Sequence, residues 1–115
     1  MIYTDAHLNG LNGLGGEYST GGYTHIRQDN KDIIIDYMKK HLTNNEAELL
    51  AVFHALTVAR EYETICTDSQ IACSLSNRGK SKEPRFELLA MANNYLLKTK
   101  KCTLKWIPRE QNPVT

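Results

Sequence analysis

The chain has 115 residues, of which 41% are hydrophobic and 23% charged, and this is the composition of an ordinary globular protein with one modest core. Its net charge of +1 argues against a broadly basic nucleic-acid binder. No segment approaches the roughly 20 apolar residues of a membrane-spanning helix, and the amino terminus does not look like a secretory signal, so we expect one domain over residues 1–115 that makes no membrane contact.

In chain order, the sequence pattern predicts three β-strands, a long helix, a fourth strand, two helices and a fifth strand. These elements fall within residues 1–6, 17–28, 31–38, 44–61, 64–69, 70–77, 84–99 and 102–108. Residues 7–16 form a turn rich in Gly and Asn, and the second and third strands form a hairpin about residues 29–31. The glycines at 21 and 22 predict a bulge or kink in the second strand.

Two of the predicted helices supply most of the core. The apolar stripe of the first consists of Leu49, Val52, Phe53, Leu56 and Ala59. The buried face of the last consists of Phe86, Leu89, Ala90, Asn93, Leu96 and Leu97, with Pro84 in the first turn. The order of elements is typical of an α/β fold with a mixed sheet.

Charge and cysteines are distributed unevenly. Residues 1–75 carry five Lys or Arg and ten Asp or Glu, whereas residues 76–115 carry nine and three. The basic part is a candidate phosphate-contacting face, although solvated surface lysines are the better explanation of charge alone. Cys66, Cys73 and Cys102 form no CxxC pair, so we expect reduced, mostly buried thiols in a cytoplasmic protein.

Two aspartates end short apolar strands, Asp5 after "IYT" and Asp68 after "TICT". If these strands are parallel neighbours, both carboxylates emerge at the carboxyl edge of the sheet, where open α/β sheets bind ligands. Two close carboxylates repel each other unless a cation lies between them or one is protonated. Hard oxygen ligands suit Mg²⁺ or Mn²⁺, so the pair predicts a cation site, whereas either aspartate alone is better explained as a turn or capping residue.

Two glutamates at the start of the first helix are candidates to join the aspartates. Thr43 and Glu46 have capping-box spacing, and so do Asn45 and Glu48. Glu46 and Glu48 lie on opposite sides of the apolar stripe, so the helical pattern does not choose between them.

Four motifs resemble the ribonuclease H type 1 family in order and spacing: "YTDA" with "NGLGG", then "TNNEAELLA", "TDSQ" and "WIPREQN". The likeness covers nearly the whole chain. It implies an α/β fold with a five-stranded mixed sheet, in the order 3-2-1-4-5, flanked by helices on both faces. It also implies endonucleolytic cleavage of the RNA strand of RNA/DNA hybrids with Mg²⁺, for which Mn²⁺ can substitute, and we expect a monomer.

The resemblance assigns roles to particular residues. Its acidic positions fall on Asp5, Glu48 and Asp68, which in the family hold two metal ions. The remaining matches are substrate contacts, to bases and sugars in the minor groove of the hybrid or, for Thr43, to a phosphate of the DNA strand. These positions are Thr43, Asn44, Asn45 and Gln70. The asparagines are equally suited to helix capping.

The sequence departs from the family in three places. His7 replaces a small polar residue, and we expect it to fill a loop rather than bind substrate. The basic loop of residues 76–85 is shorter than the basic, aromatic insertion of some members. In the family an aspartate follows the position of Thr115 and leads into a C-terminal helix; Glu110 is a poor substitute because its register is wrong. We therefore expect impaired activity of the 115-residue form and an exposed apolar patch on one sheet face.

Two functions remain open. The first is a hybrid-cleaving ribonuclease, either standing alone or as the nuclease domain of a larger protein. The second is a non-catalytic module on the same fold that binds a hybrid or a partner. A transposase or resolvase core is disfavoured by the "TNN" and "TDSQ" motifs.

Overall fold

A computed structural model describes residues 1–10, 20–38 and 41–115 of the chain. The strands β1 to β5 span Ile2–Asn9, Gly21–Gln28, Lys31–Asp36, Thr64–Thr67 and Thr103–Trp106. The helices α1 to α3 span Asn44–Val58, Gln70–Arg78 and Pro84–Lys100, and a short 3₁₀ turn spans Arg109–Gln111. Most of the predicted Gly/Asn-rich turn and the start of the predicted second strand lie outside the described residues.

The five strands form a mixed sheet in the order β3-β2-β1-β4-β5. Strand β2 pairs antiparallel with β1 and β3, whereas β4 pairs in parallel with β1 and β5. This arrangement confirms the predicted α/β fold and strand order. No helix among the described residues combines the length and apolarity needed to cross a membrane.

The predicted hairpin and the predicted bulge have different outcomes. The β2–β3 hairpin turns at Asp29 and Asn30, both with positive φ, as tight two-residue turns require. The bulge is wrong, because β1 and β2 pair without a break as far as Asn9 and Gly21. Gly22 is needed for a different reason: a Cβ there would overlap the carbonyl oxygen of His7 on the neighbouring strand.

The core lies between the sheet and α1. Four of the five residues predicted for the α1 stripe are buried, while Phe53 is half-buried. Strand β1 contributes Ile2 and Thr4, and the Thr4 hydroxyl donates a hydrogen bond to the carbonyl of Ala51. Helix α3 packs on α1 through its predicted face, where the buried Asn93 amide donates to the carbonyl of Leu49.

Helix α1 ends at Val58, three residues before the predicted limit. At this end the Lys100 ammonium of α3 donates hydrogen bonds to the carbonyls of Leu56, at 2.7 Å, and Ala59, at 2.9 Å. These carbonyls belong to the last turn, where no intrahelical donor remains. Lys100 therefore stabilises the end of a neighbouring helix, a tertiary contact that the local pattern does not contain.

The sheet face opposite α1 is mostly polar. Ile34 is 54% exposed on this face, but its partner across the ladder is His25, which in turn pairs with Asp5. The predicted apolar patch is therefore small among the described residues of the sheet. Apolar side chains with a larger exposed fraction lie on the outer side of α3, at Leu88 and Tyr95.

All three cysteines are free thiols. Cys66 is buried, whereas Cys73 and Cys102 are half-buried, and burial raises the pKa of each thiol above its ordinary value. A raised pKa disfavours the reactive thiolate, so these side chains serve packing rather than nucleophilic chemistry.

Candidate active site

Strand pairing brings the two predicted aspartates together. The parallel strands β1 and β4 are in register at Thr4 and Thr67, and Asp5 and Asp68 each follow by one residue. Ligand oxygens of Asp5, Glu48 and Asp68 lie within 4.8 Å of one another. The carboxyl edge of the sheet therefore carries three converging carboxylates, as the strand-end pattern predicts.

Glu48, not Glu46, is the glutamate beside the aspartates. Its Oε1 accepts a hydrogen bond of 2.9 Å from the backbone N–H of Ala6 on β1. Glu46 instead completes the capping box with Thr43, accepting from the Thr43 backbone while the Thr43 hydroxyl accepts from the Glu46 backbone. Glu46 therefore has the structural role of capping α1, and Glu48 is the glutamate of the site, a choice that the sequence leaves open.

Burial raises the pKa of two of the three carboxyls. The pKa of Asp5 is about 6, because burial is reinforced by the charge of Asp68 and only partly offset by His7. The pKa of Glu48 is about 8, through burial and then the charge of Asp5. Buried carboxyls at such close range favour protonation when no positive charge lies between them.

Asp68 is held by the segment that follows β5. Its Oδ2 accepts hydrogen bonds from the Asn112 amide at 3.2 Å and from the Thr115 hydroxyl at 2.7 Å. The Trp106 indole donates to the Asp68 backbone carbonyl at 3.1 Å. Both bonds to the carboxylate end on the same oxygen, Oδ2.

The three carboxylates open into a cavity of about 280 Å³. Its lining is mostly polar and comes from the ends of β1 and β4, the starts of α1 and α2, and the segment after β5. The lining residues are Asp5, Ala6, Asn44, Glu48, Asp68, Ser69, Arg109 and Thr115. Three acids and a single cationic side chain line this cavity.

The predicted substrate-contacting residues surround this cavity unevenly. Asn44, exposed at the first position of α1, lines the cavity itself. Thr43 caps α1, Asn45 is half-buried within its first turn, and Gln70 is the exposed first residue of α2. None of these last three belongs to the cavity lining.

Three residues at the site were not predicted to take part. His7 lies in strand β1 rather than in a loop, since β1 continues to Asn9. Arg109 and Thr115 line the cavity, and their only sequence signal is the family motif that surrounds them. Glu110 is exposed on the 3₁₀ turn and outside the lining, in agreement with its poor register.

The donor set fits a hard divalent cation. Carboxylate oxygens within 4.8 Å of one another can share such an ion, and Mg²⁺, Mn²⁺ and Ca²⁺ all prefer oxygen ligands. The pKa values of Asp5 and Glu48 are raised by burial first and then by repulsion from the neighbouring carboxylates. A bound cation would remove that repulsion.

The acids should make the stability of the metal-free chain depend on pH. Their pKa values rise on folding from 3.8 and 4.5, so the folded chain binds more protons between about pH 4 and pH 8. The free energy of unfolding contributed by Asp5 and Glu48 must therefore fall as pH rises through this range. Glu48→Gln keeps an oxygen that can accept from the Ala6 N–H. At pH 8 in EDTA, we expect its melting temperature to lie several degrees above that of the unchanged chain, the protein without the substitution.

The check is a pair of thermal unfolding series from pH 4 to pH 8. The two melting temperatures should converge near pH 4, and millimolar Mg²⁺ at pH 8 should stabilise the unchanged chain more than the variant. A difference that does not vary with pH would contradict the assignment of Glu48 as the carboxyl with the raised pKa.

Fold and cluster together define an α/β protein that gathers carboxylates at the carboxyl edge of its sheet, in the manner of cation-binding phosphoryl-transfer enzymes. The family model of RNase H matches residues 1–112, and the chain belongs to the RNase H family. A search of curated protein sequences finds no match.

Solved structures share the fold. RNase H1 from the halophilic archaeon Halobacterium salinarum NRC-1 is similar with a TM-score of 0.75 and 17% identity, over 99% of this chain and 89% of that one. The N-terminal RNase H domain of Rv2228c from Mycobacterium tuberculosis gives 0.67 and 18%, over 99% and 92%. LC11-RNase H1, solved in complex with an RNA/DNA hybrid, gives 0.67 and 20%, over 97% and 87%.

Proposed function

We propose that the protein is an endoribonuclease that cleaves the RNA strand of RNA/DNA hybrids. The observation that carries the proposal is the convergence of Asp5, Glu48 and Asp68 in a chain of the RNase H family. The complex of LC11-RNase H1 with a hybrid supports the choice of substrate.

Asp5, Glu48 and Asp68 are the residues that would hold Mg²⁺, or Mn²⁺ in its place. Two such ions, if bound, would supply activation of a water on one side of the phosphate and stabilisation of the leaving oxygen on the other. The chain itself orients the ligands: the Ala6 N–H fixes Glu48, while Asn112 and Thr115 fix Asp68. Burial of Asp5 and Glu48 strengthens the electrostatic interactions of the cluster.

The residues around the cavity suit a hybrid duplex. Asn44, Asn45 and Gln70 offer amide groups that can hydrogen-bond base edges and 2′-hydroxyls in a minor groove, where RNA is distinguished from DNA. Thr43 is a candidate contact to a phosphate of the DNA strand. Arg109 is exposed in the cavity lining and can neutralise a phosphate of the RNA strand.

We expect the 115-residue form to cleave weakly. Thr115 contacts Asp68 through a neutral hydroxyl. The family resemblance implies a further carboxylate at the position directly after Thr115. Three carboxylates can hold one ion, but a second ion would lack a ligand. A site that holds a single ion also suits the alternative function, a non-catalytic module that binds the hybrid.

The deciding experiment is incubation of the chain with an RNA/DNA hybrid in Mg²⁺ or Mn²⁺. Single-stranded RNA, duplex RNA and duplex DNA of the same sequence serve as controls. We expect internal cuts in the RNA strand of the hybrid that disappear in EDTA. Hybrid binding without cleavage, by this chain and by one extended with an aspartate, would favour the binding module. If the chain neither binds nor cleaves the hybrid, the nuclease and the binding module are both contradicted.

We further propose that the protein acts as a monomer in the cytoplasm. The three carboxylates of Asp5, Glu48 and Asp68 converge within one chain, so this cluster forms without a second copy. The three free thiols suit a reducing compartment.

A further inference from the structure

We infer that His7 is a positioning residue that sets the orientation of the Asp68 carboxylate. It acts through the C-terminal segment, which we define as residues 107–115. The catalytic consequence of this inference rests on the proposed function, whereas the structural link from His7 to Asp68 does not.

The His7 ring is fixed on two sides. It stacks on Tyr23, its neighbour across the β1–β2 ladder, with ring centroids 4.9 Å apart and planes 10° from parallel. Its Nε2 lies 2.8 Å from the backbone carbonyl oxygen of Val114. A carbonyl only accepts, so Nε2 carries the proton and donates the bond. The ring therefore joins strand β1 to the C-terminal segment.

From Val114 the hydrogen bonds continue to Asp68. The Val114 N–H donates to Oδ1 of Asn112, whose amide nitrogen donates to the Thr4 carbonyl and to Oδ2 of Asp68. Val114 is 1% and Asn112 6% exposed, so these polar groups have little access to water as an alternative partner. Movement of Val114 would disturb the Asn112 side chain and hence its bond to Asp68.

A second link runs through the next residue. Thr115 directly follows Val114, and its hydroxyl donates the 2.7 Å bond to Oδ2 of Asp68. Both donors to this carboxylate thus belong to the stretch of chain that His7 anchors. With two hydrogen bonds to Oδ2, the carboxylate has one preferred rotation about its terminal bond.

His7 lies too far from Asp5 for a direct hydrogen bond. Its Nε2 is 3.7 Å from Oδ2 of Asp5, beyond hydrogen-bond distance, while the same nitrogen makes its short contact with Val114. Positioning through the segment is therefore the role that the distances favour.

The test compares two substitutions of His7. His7→Phe keeps a ring to stack on Tyr23 but removes the donor, whereas His7→Gln removes the ring and keeps an amide donor. In the metal-free chain, we expect His7→Phe to speed amide hydrogen exchange at Val114 about tenfold or more, with Ile26 and Ile65 in the core strands unchanged. The affinity for Mn²⁺, measured by calorimetry, should fall about tenfold. His7→Gln should recover part of both effects.

Matched variants separate positioning from loss of stability. His54→Phe makes the same chemical change in α1, where the ring contacts the Thr24 hydroxyl outside the cavity lining, and should leave both readouts unchanged. Thr115→Val removes one bond to Asp68 at an exposed position, and combined with His7→Phe it should weaken Mn²⁺ binding by less than the sum of the single effects.

Three results would overturn the inference. They are unchanged exchange at Val114 in His7→Phe, equal acceleration at Val114 and in the core strands, and fully additive effects on Mn²⁺ affinity. Hydrogen exchange requires no cleavage. A chain that shows the exchange effect but never cuts a hybrid would therefore refute the proposed function and leave the link from His7 to Asp68 standing.

Discussion

Replacing Asp5 with asparagine should reduce hybrid cleavage roughly 10³-fold, the equivalent of about 4 kcal/mol of lost transition-state stabilisation. Asparagine has nearly the same shape but no charge, and a carboxylate oxygen of Asp5 lies within 4.8 Å of those of the other two acids. The fold should tolerate the change, because the buried charge of Asp5 is itself unfavourable in the metal-free chain. Single-turnover cleavage in saturating Mn²⁺ provides the rate.

A matched control is Asp36→Asn, the same change at the exposed end of β3 and outside the cavity lining. The cleavage rate of Asp36→Asn should stay within about twofold of that of the unsubstituted chain, because a surface substitution of this kind perturbs the fold little. Hybrid affinity without metal should be similar in both variants and the unchanged chain. Equal cleavage by Asp5→Asn and Asp36→Asn would show that the three-carboxylate cluster is not the catalytic centre.

An aspartate added directly after Thr115 should raise hybrid cleavage by at least about tenfold, which is the lower limit of what even an outer partner of a metal site contributes. Thr115 lines the cavity and touches Asp68, so a carboxylate one residue further on can reach the cluster. A fourth acid would supply a ligand for a second ion, where the attacking water is activated. The measurement is the cleavage rate as a function of Mg²⁺ concentration.

An asparagine added at the same point is the control, since it lengthens the chain equally without adding charge. The aspartate should lower the Mg²⁺ concentration needed for half-maximal cleavage, and the asparagine should not. If both additions raise the rate equally, the gain comes from chain length and not from a fourth ligand.

The convergence of Asp5 and Asp68 was predictable from sequence, because each ends a short apolar run and parallel neighbours place such ends at one edge. The strand order followed from the family resemblance. The choice between Glu46 and Glu48 was predictable only through that resemblance. Both fit a capping box, and only the packing of α1 against β1 shows which carboxylate meets the Ala6 N–H.

The roles of His7 and of the C-terminal segment were missed. His7 was expected in a loop because Gly and Asn follow it closely, yet pairing with β2 carries β1 beyond it. Its hydrogen-bond partner Val114 lies 107 residues away in sequence. No periodicity or spacing reports a contact of that kind.

The sequence by itself determined the order of elements, the hairpin turn and the edge of the sheet where the acids emerge. These features depend on backbone preferences and on contacts within a few residues, which a local pattern records. The tertiary structure alone decided the Lys100 contact at the end of α1, the hydrogen bonds that orient Glu48 and Asp68, and the raised pKa of Asp5 and Glu48. Each depends on burial or on a partner far along the chain, and both arise only when the strands and helices pack together.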